Sequence, residues 1–383
     1  MRAPALPLLC MVAALAAVAL PATAAGPAAV AKADRRLWTE TLNSRNGFDK
    51  ASRASILTYA TALQDMQKMA DADMLAAFKI KSLNRASVDK WLKSELALSL
   101  ANYQRAARDC AGGGDWTCVA PLGNVEALLR QADSWQKSIP AGQQAWHANL
   151  SAFAHAYLAE QLRLAALFPK VSSEIDRFGP HEWNGDTLED RQFLLTFDDG
   201  PSPGPNTDDT LAMLAAAKKT GVFFVLGENL QNRVNKAGAA KVAASYKNQC
   251  MASHGWQHQS HAKWDQWQDS ITRTHALLNT TFGKGDVLPY FRPPYGQRPA
   301  DSAPFFQQQG LQVALWNLDS QDWSSQVTAD DVSNRMIALM LIKRHGVLLF
   351  HDVHNKAKSA LPVIFDELGT AVSWRDCQQA LPR

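Results

Sequence analysis

The stretch Phe193-Leu194-Leu195-Thr196-Phe197-Asp198-Asp199-Gly200 decides how the C-terminal half of this chain is read. A short apolar run ends abruptly in two adjacent carboxylates and a glycine. A run of that length suits a strand buried on both faces. Two neighbouring carboxylates repel each other, so something positive must hold them, a metal ion or an arginine. Taken alone, Asp-Gly reads as an ordinary turn.

The same pattern recurs downstream. Apolar runs at 222–225, 313–316 and 347–350 alternate with helix-like segments at 209–217, 267–278 and 329–342. Strands alternating with helices imply a parallel sheet or a β/α barrel, with the chemistry at the C-terminal ends of the strands. Four more polar clusters accompany these runs. In His254-Gly255-Trp256-Gln257-His258 the two histidines are four apart. On a helical turn they would point the same way and grip one metal ion. His261 lies off that face and is expected in solvent. Arg292-Pro293-Pro294-Tyr295-Gly296 joins an arginine able to clamp a carboxylate with two parallel hydrogen bonds to a glycine that admits a ligand. Asp319-Ser320-Gln321-Asp322-Trp323 and Leu349-Phe350-His351-Asp352 complete the series. One Asp and two His make three metal ligands and leave a position for water. The spare Asp and the distant His supply a base and an acid. Such a set fits hydrolysis of an amide or an ester.

Upstream the pattern is different. Residues 28–120 contain no proline. Apolar residues recur there at three and four, as in Ile56, Ala60, Leu63, Met66, Met69 and in Leu92, Leu96, Leu100, Tyr103, Ala107. That spacing predicts amphipathic helices, and further helices are expected near 124–136 and 142–167. The reading is a helical domain over 26–168, a linker over 169–190 carrying Pro169, Gly179, Pro180 and Gly185, and a catalytic domain over 191–383.

Composition is that of a folded globular chain, 46% apolar and 20% charged, which excludes a disordered protein. A net charge of +3 without a long basic run gives no reason to expect nucleic acid. Arg2, the apolar stretch 6–20 and Ala22-Thr23-Ala24 read as an export leader over 1–25. The apolar stretch is short for a span, so no stable membrane span is expected after cleavage. A periplasmic or secreted location follows, and with it disulfides among Cys110, Cys118, Cys250 and Cys377. Three pairings are open. Cys110 and Cys118 flank a short glycine-rich loop and can meet easily, which would leave Cys250 with Cys377.

The five clusters, in this order, resemble the motifs of the polysaccharide deacetylases of the NodB-homology type, carbohydrate esterase family 4. The likeness covers roughly 190–370 and leaves out the helical region. It implies a distorted (β/α) barrel preceded by an all-α domain, and a divalent metal, most often Zn2+. It implies Asp199, His254 and His258 as metal ligands, and Asp198 as the base, held in position by Arg292. The backbone N–H of Tyr295 would stabilise the oxyanion. His351 would protonate the leaving amine, with Asp322 orienting it and raising its pKa. Trp323 and Leu349 would wall the acetyl pocket beside Tyr295. The implied substrate is an acetylated amino-sugar polymer: peptidoglycan, a chitin-like chain or an exopolysaccharide. An O-acetyl esterase acting on plant polysaccharide, and a non-catalytic glycan-binding envelope protein, stay open. The helical region has no assigned partner. The chain departs from the family at Gly255, where Ser or Thr is usual, and at Val222, where Thr is frequent. A disulfide at Cys250 is one way to restore the bracing lost at Gly255.

Overall fold

The computed structural model describes residues 27–110, 114–119, 121–167 and 177–380. The leader expected over 1–25 lies outside them, as does 169–176 of the expected linker.

Among the described residues five α-helices come first: α1 (Arg45–Lys68), α2 (Asp71–Phe78), α3 (Arg85–Ala106), α4 (Val125–Gln136) and α5 (Gln144–Leu167). Ser44, Asn84 and Asn124 cap α1, α3 and α4, each side chain accepting from a backbone N–H in the first turn. Helix α1 is buried over most of its length, because α3, α4 and α5 pack around it. The Ile56-to-Met66 stripe lies in that core, as expected.

Nine parallel strands follow: β1 (Glu182–Trp183), β2 (Gln192–Asp198), β3 (Gly221–Val225), β4 (Cys250–Ser253), β5 (Val287–Phe291), β6 (Gln312–Ala314), β7 (Leu318–Asp319), β8 (Gly346–His351) and β9 (Ser373–Trp374). The helices among them are α6 (Asn206–Ala217), α7 (Gly227–Ala237), α8 (Ala239–Ser245), α9 (Trp267–Phe282), α10 (Ala303–Gln309), α11 (Ala329–Lys343), α12 (Lys356–Leu368) and α13 (Cys377–Ala380). The pairing order is β1-β6-β5-β4-β3-β2-β8-β7, with β9 added on β2. Only Leu315, Trp316 and Asn317 separate β6 from β7. One broken segment therefore bonds β5 on one side and β8 on the other, which closes the ring. This is a distorted (β/α) barrel, and its distortion is that break. The sequence suggested a strand over 313–316; the strand stops at Ala314 and resumes at Leu318. Glu182 and Trp183, within the stretch expected as a linker, form β1 on the outer side of β6.

The helical half packs directly on the barrel. Residues of α1, α3, α4 and α5 share one hydrophobic core with α11, α12 and one face of β2, β3 and β8. Three buried ion pairs cross that interface: Asp49 with Arg344, Glu95 with Lys343 and Glu160 with Arg335. Asn102 adds hydrogen bonds to the carbonyls of Ile342 and Lys343. These caps satisfy the C-terminal end of α11, which has no intrahelical partners for its last carbonyls.

Disulfides join Cys110 to Cys118, with Cα atoms 6.0 Å apart, and Cys250 to Cys377, at 5.9 Å. The second ties the C-terminal tail to β4. Among the described residues no helix is long and apolar enough to cross a membrane.

Candidate active site at the C-terminal rim of the barrel

Strand β2 ends in Asp198, and β8 beside it ends in His351; the two are register partners. The rim therefore brings together residues far apart in the chain, as parallel strands require.

Asp199 is the next residue, just past the end of β2. Its φ of 75° turns the chain sharply at this point, a conformation that costs a non-glycine residue energy and tends to mark functional positions. Its Oδ1 lies 3.3 Å from His254 Nε2 and 3.5 Å from His258 Nε2. The three donor atoms lie within 4.8 Å of one another, so Asp199, His254 and His258 could hold one metal ion. Two observations fit that. The buried Oδ1 of Asp199 has no hydrogen-bond partner, and an orphaned carboxylate oxygen is costly without a cation. The Nδ1 of His254 lies 2.7 Å from the Arg292 carbonyl. A carbonyl only accepts, so Nδ1 carries the proton and Nε2 offers its lone pair. A carboxylate and two imidazoles suit a divalent cation such as zinc. Burial pushes the Asp199 carboxyl up, but the imidazoles of His254, His351 and His258 around it hold it well below the usual range. Burial pushes the His258 imidazole down, towards the neutral form that ligates.

The histidines do not sit on a helix, contrary to expectation. His254 follows β4 and the chain then runs through bends. They converge because Gly255, at φ 83°, reverses the chain between them. A Cβ at Gly255 would lie 2.8 Å from the ring of His261, so the family's usual hydroxyl residue does not fit here. Other groups brace the loop. Gly255 N–H donates to Ser253 Oγ, and Trp256 N–H to Ser270 Oγ. His261, expected in solvent, is fully buried and contacts Ser270 Oγ at 3.0 Å. Burial drives its pKa down to about 4, so it is a neutral packing residue.

Asp198 is 2% exposed and accepts one hydrogen bond from Arg292 Nη1, at 2.8 Å. The two-point clamp read from the sequence is absent. The remaining guanidinium donors go to Thr196 Oγ1 and to the carbonyls of Ala314 and Leu315, and the ring of Phe224 lies 4.0 Å away. Arg292 thus spans the barrel interior from β2 to β6. Burial pulls its pKa down and Asp198 opposes that.

Opposite, Asp322 holds His351 twice. One oxygen meets Nδ1 at 2.7 Å and the other accepts the backbone N–H at 2.9 Å. Burial lowers the His351 pKa, but Asp322, with Asp199 and Asp198 behind it, outweighs burial and lifts it to about 10. Tyr295 has φ 56° and is 40% exposed, and its ring packs edge-on against His258 at 4.5 Å. Trp323 stands 37% exposed on the Asp322 loop, whereas Leu349 is buried on β8.

Residues 185–314 match the family model for polysaccharide deacetylase. Over these residues the chain is similar to that family. A peptidoglycan-N-acetylglucosamine deacetylase of Bacillus cereus is 27% identical over 214 residues, which cover 54% of this chain and 75% of the relative. Chitin deacetylase 1 of Saccharomyces cerevisiae is 32% identical over 173 residues, 41% of this chain and 50% of the relative. The chain thus spans three quarters of the first and half of the second. A crystal structure of a peptidoglycan N-acetylglucosamine deacetylase superposes with a TM-score of 0.47 at 24% identity, covering 52% of this chain and 92% of that one.

The barrel also contains rim residues to which sequence reasoning gave no role. Arg298 is fully buried and donates Nε to Glu182 Oε1 at 2.8 Å and Nη2 to Oε2. Its Nη1 donates to the Gly296 carbonyl at 3.0 Å. The pair fastens the turn bearing Tyr295 to β1. Asp352, quoted in the fifth cluster but given no role there, is buried under Gly200 and accepts from Thr207 Oγ1 at 2.6 Å. Burial lifts its pKa to about 7 despite that hydrogen bond. Asn229 Nδ2 donates to the Asp199 carbonyl at 2.8 Å. Single side chains without a repeating pattern leave no signal in one sequence.

Proposed function

We propose that this protein is an exported, divalent-metal-dependent hydrolase that removes acetyl groups from an N-acetylated amino-sugar polymer, with peptidoglycan or a chitin-like chain as substrate. One observation carries the reading. Asp199 Oδ1 is buried without a partner between two imidazole nitrogens, beside a carboxylate held by Arg292 and an imidazole held by Asp322. The named relatives, deacetylases of peptidoglycan and of chitin, support the substrate class.

Asp199, His254 and His258 would hold the cation. When bound, zinc or a similar ion supplies Lewis-acid polarisation and makes nearby water more acidic. Asp198 accepts the proton of the attacking water, its other side fixed by Arg292. The Tyr295 N–H donates to the developing oxyanion. His351 carries the proton that the leaving nitrogen needs, and Asp322 keeps that proton on the imidazole. A C–O bond to the water oxygen forms, the amide C–N bond breaks, and acetate and a free amine result. Trp323 and Leu349 flank the acetyl methyl.

Acetate release from N-acetylglucosamine oligomers, measured with and without a chelator, tests this. Release that stops with chelator and returns with zinc is expected. Release only from O-acetylated xylan, or none at all, would contradict it.

A further inference from the structure

Between β6 and β7 the barrel wall is carried by residues 315–317, which belong to neither strand. β1 ends the sheet on the outer side of β6, and β7 ends it on the other side. A cavity of about 610 Å³ lies against this break, between the barrel and the helical layer. Its size is that of a pocket for a small organic ligand.

One wall is a single face of α3. Trp91, Ser94, Glu95 and Leu98 line it, at the i, i+3, i+4, i+7 spacing of one helical stripe. An apolar stripe normally packs into a core. Here Leu98 is 38% exposed and Trp91 only half-buried, so apolar surface is turned towards the cavity. The facing wall is mixed, with the rings of Tyr157, Phe178 and Trp316 among polar groups. Asn184 and Asp186 follow β1, and Asn317 and Asp319 come from the break and β7.

The charges in the lining are largely matched. Glu95 pairs with Lys343, Glu182 with Arg298, and Arg177 with Asp186 at 3.4 Å. Asp319 accepts from Gln321 N and Nε2. The cavity is therefore unsuited to a phosphate or another ion, which needs unmatched charge. It suits a neutral ligand with one apolar face and a rim of hydroxyls. A pyranose ring has that shape: axial C–H groups can lie on Trp91 and Leu98 while the hydroxyls meet the amides and carboxylates opposite.

We infer that this cavity is a second saccharide site, binding a neutral N-acetylated ring of the polymer away from the reacting acetyl group. The choice of sugar rests on the deacetylase reading above. The helical layer then has a function: it supplies the apolar wall of a site that the barrel leaves half-built. The facing wall continues into the active site. Asp319 holds Gln321, and the next residue, Asp322, holds His351.

Calorimetric titration of the full-length, chelator-treated protein with tri-N-acetylchitotriose tests the inference, comparing wild type with Trp91→Ala. Two binding sites are expected in the wild type. The variant should keep one and weaken the other about tenfold or more. On the metal-loaded enzyme the variant should release acetate from the trimer at the wild-type rate, with a raised KM for long polymer. Ser94→Trp, which fills the cavity from the exposed edge of the same α3 stripe, should give the same loss and covers the case in which Trp91→Ala unfolds. Unchanged titrations in a folded variant would overturn the inference. If the deacetylase reading alone fails, acetate release is absent throughout while the Trp91-dependent binding persists.

Discussion

The interface between helices and barrel and the rim of the barrel both bury charged groups, and they treat them differently. At the interface every carboxylate meets a cation: Asp49 meets Arg344, Glu95 meets Lys343, and Glu160 meets Arg335 through two nitrogens, at 3.0 and 2.7 Å. At the rim Asp198 and Asp322 are matched in the same way, but Asp199 leaves Oδ1 unpaired. Closed pairs fix geometry. The open one can accept a ligand that the chain itself does not supply. Burial alone would not separate the two regions, since both contain fully buried arginines; an unmatched carboxylate oxygen set between two imidazoles does.

Substitutions at each region should break or sharpen that contrast. Asp198→Asn removes the proposed base and keeps the shape. Turnover should fall by about 10⁴-fold while metal affinity holds, read by acetate release beside metal titration. At the interface, Glu160→Leu leaves Arg335 buried and uncompensated. A stability loss of about 3–5 kcal/mol is expected in denaturant unfolding, with kcat unchanged in the folded fraction. The double variant with Arg335→Met should recover most of that loss, which a catalytic pair would not do. Asp322→Asn takes away the strongest of the groups that oppose burial at His351. The pKa near 10 then drops, the acid loses its proton at lower pH, and the basic limb of the pH–rate profile moves down. A fall in kcat of about 10²-fold should accompany it. Arg298→Lys keeps the charge beside Glu182 but loses the fork that also reaches the Gly296 carbonyl. A loss of roughly tenfold in kcat is expected with metal content intact, because the Tyr295 turn loosens.

The same contrast explains what a single sequence discloses. The clusters that hold Asp198, Asp199, His254, His258, Arg292, Asp322 and His351 were read from residue type and order, and the structure gathers them at one rim; their separate roles came from the family resemblance. Their local setting was less legible. The histidines looked helical because four-residue spacing fits a turn of helix, yet a left-handed Gly255 and the buried His261 bring them together instead. The broken β6–β7 segment read as one apolar run, since Leu315 and Trp316 are buried whether or not the strand continues. For the helical half, periodic stripes identified buried faces but not the surface they would meet. Contacts such as Glu160–Arg335 join residues 175 apart, and nothing in the pattern of either helix announces the other. Arg298 and Glu182 were missed for the same reason.

Metal titration by equilibrium dialysis tests the central claim most directly, because the whole reading depends on Asp199, His254 and His258 sharing one cation. The wild-type chain should bind one equivalent of zinc tightly, and Asp199→Ala and His254→Ala should each lose both the zinc and the acetate release. Undiminished zinc binding in those variants, or full turnover by metal-free protein, would contradict the account.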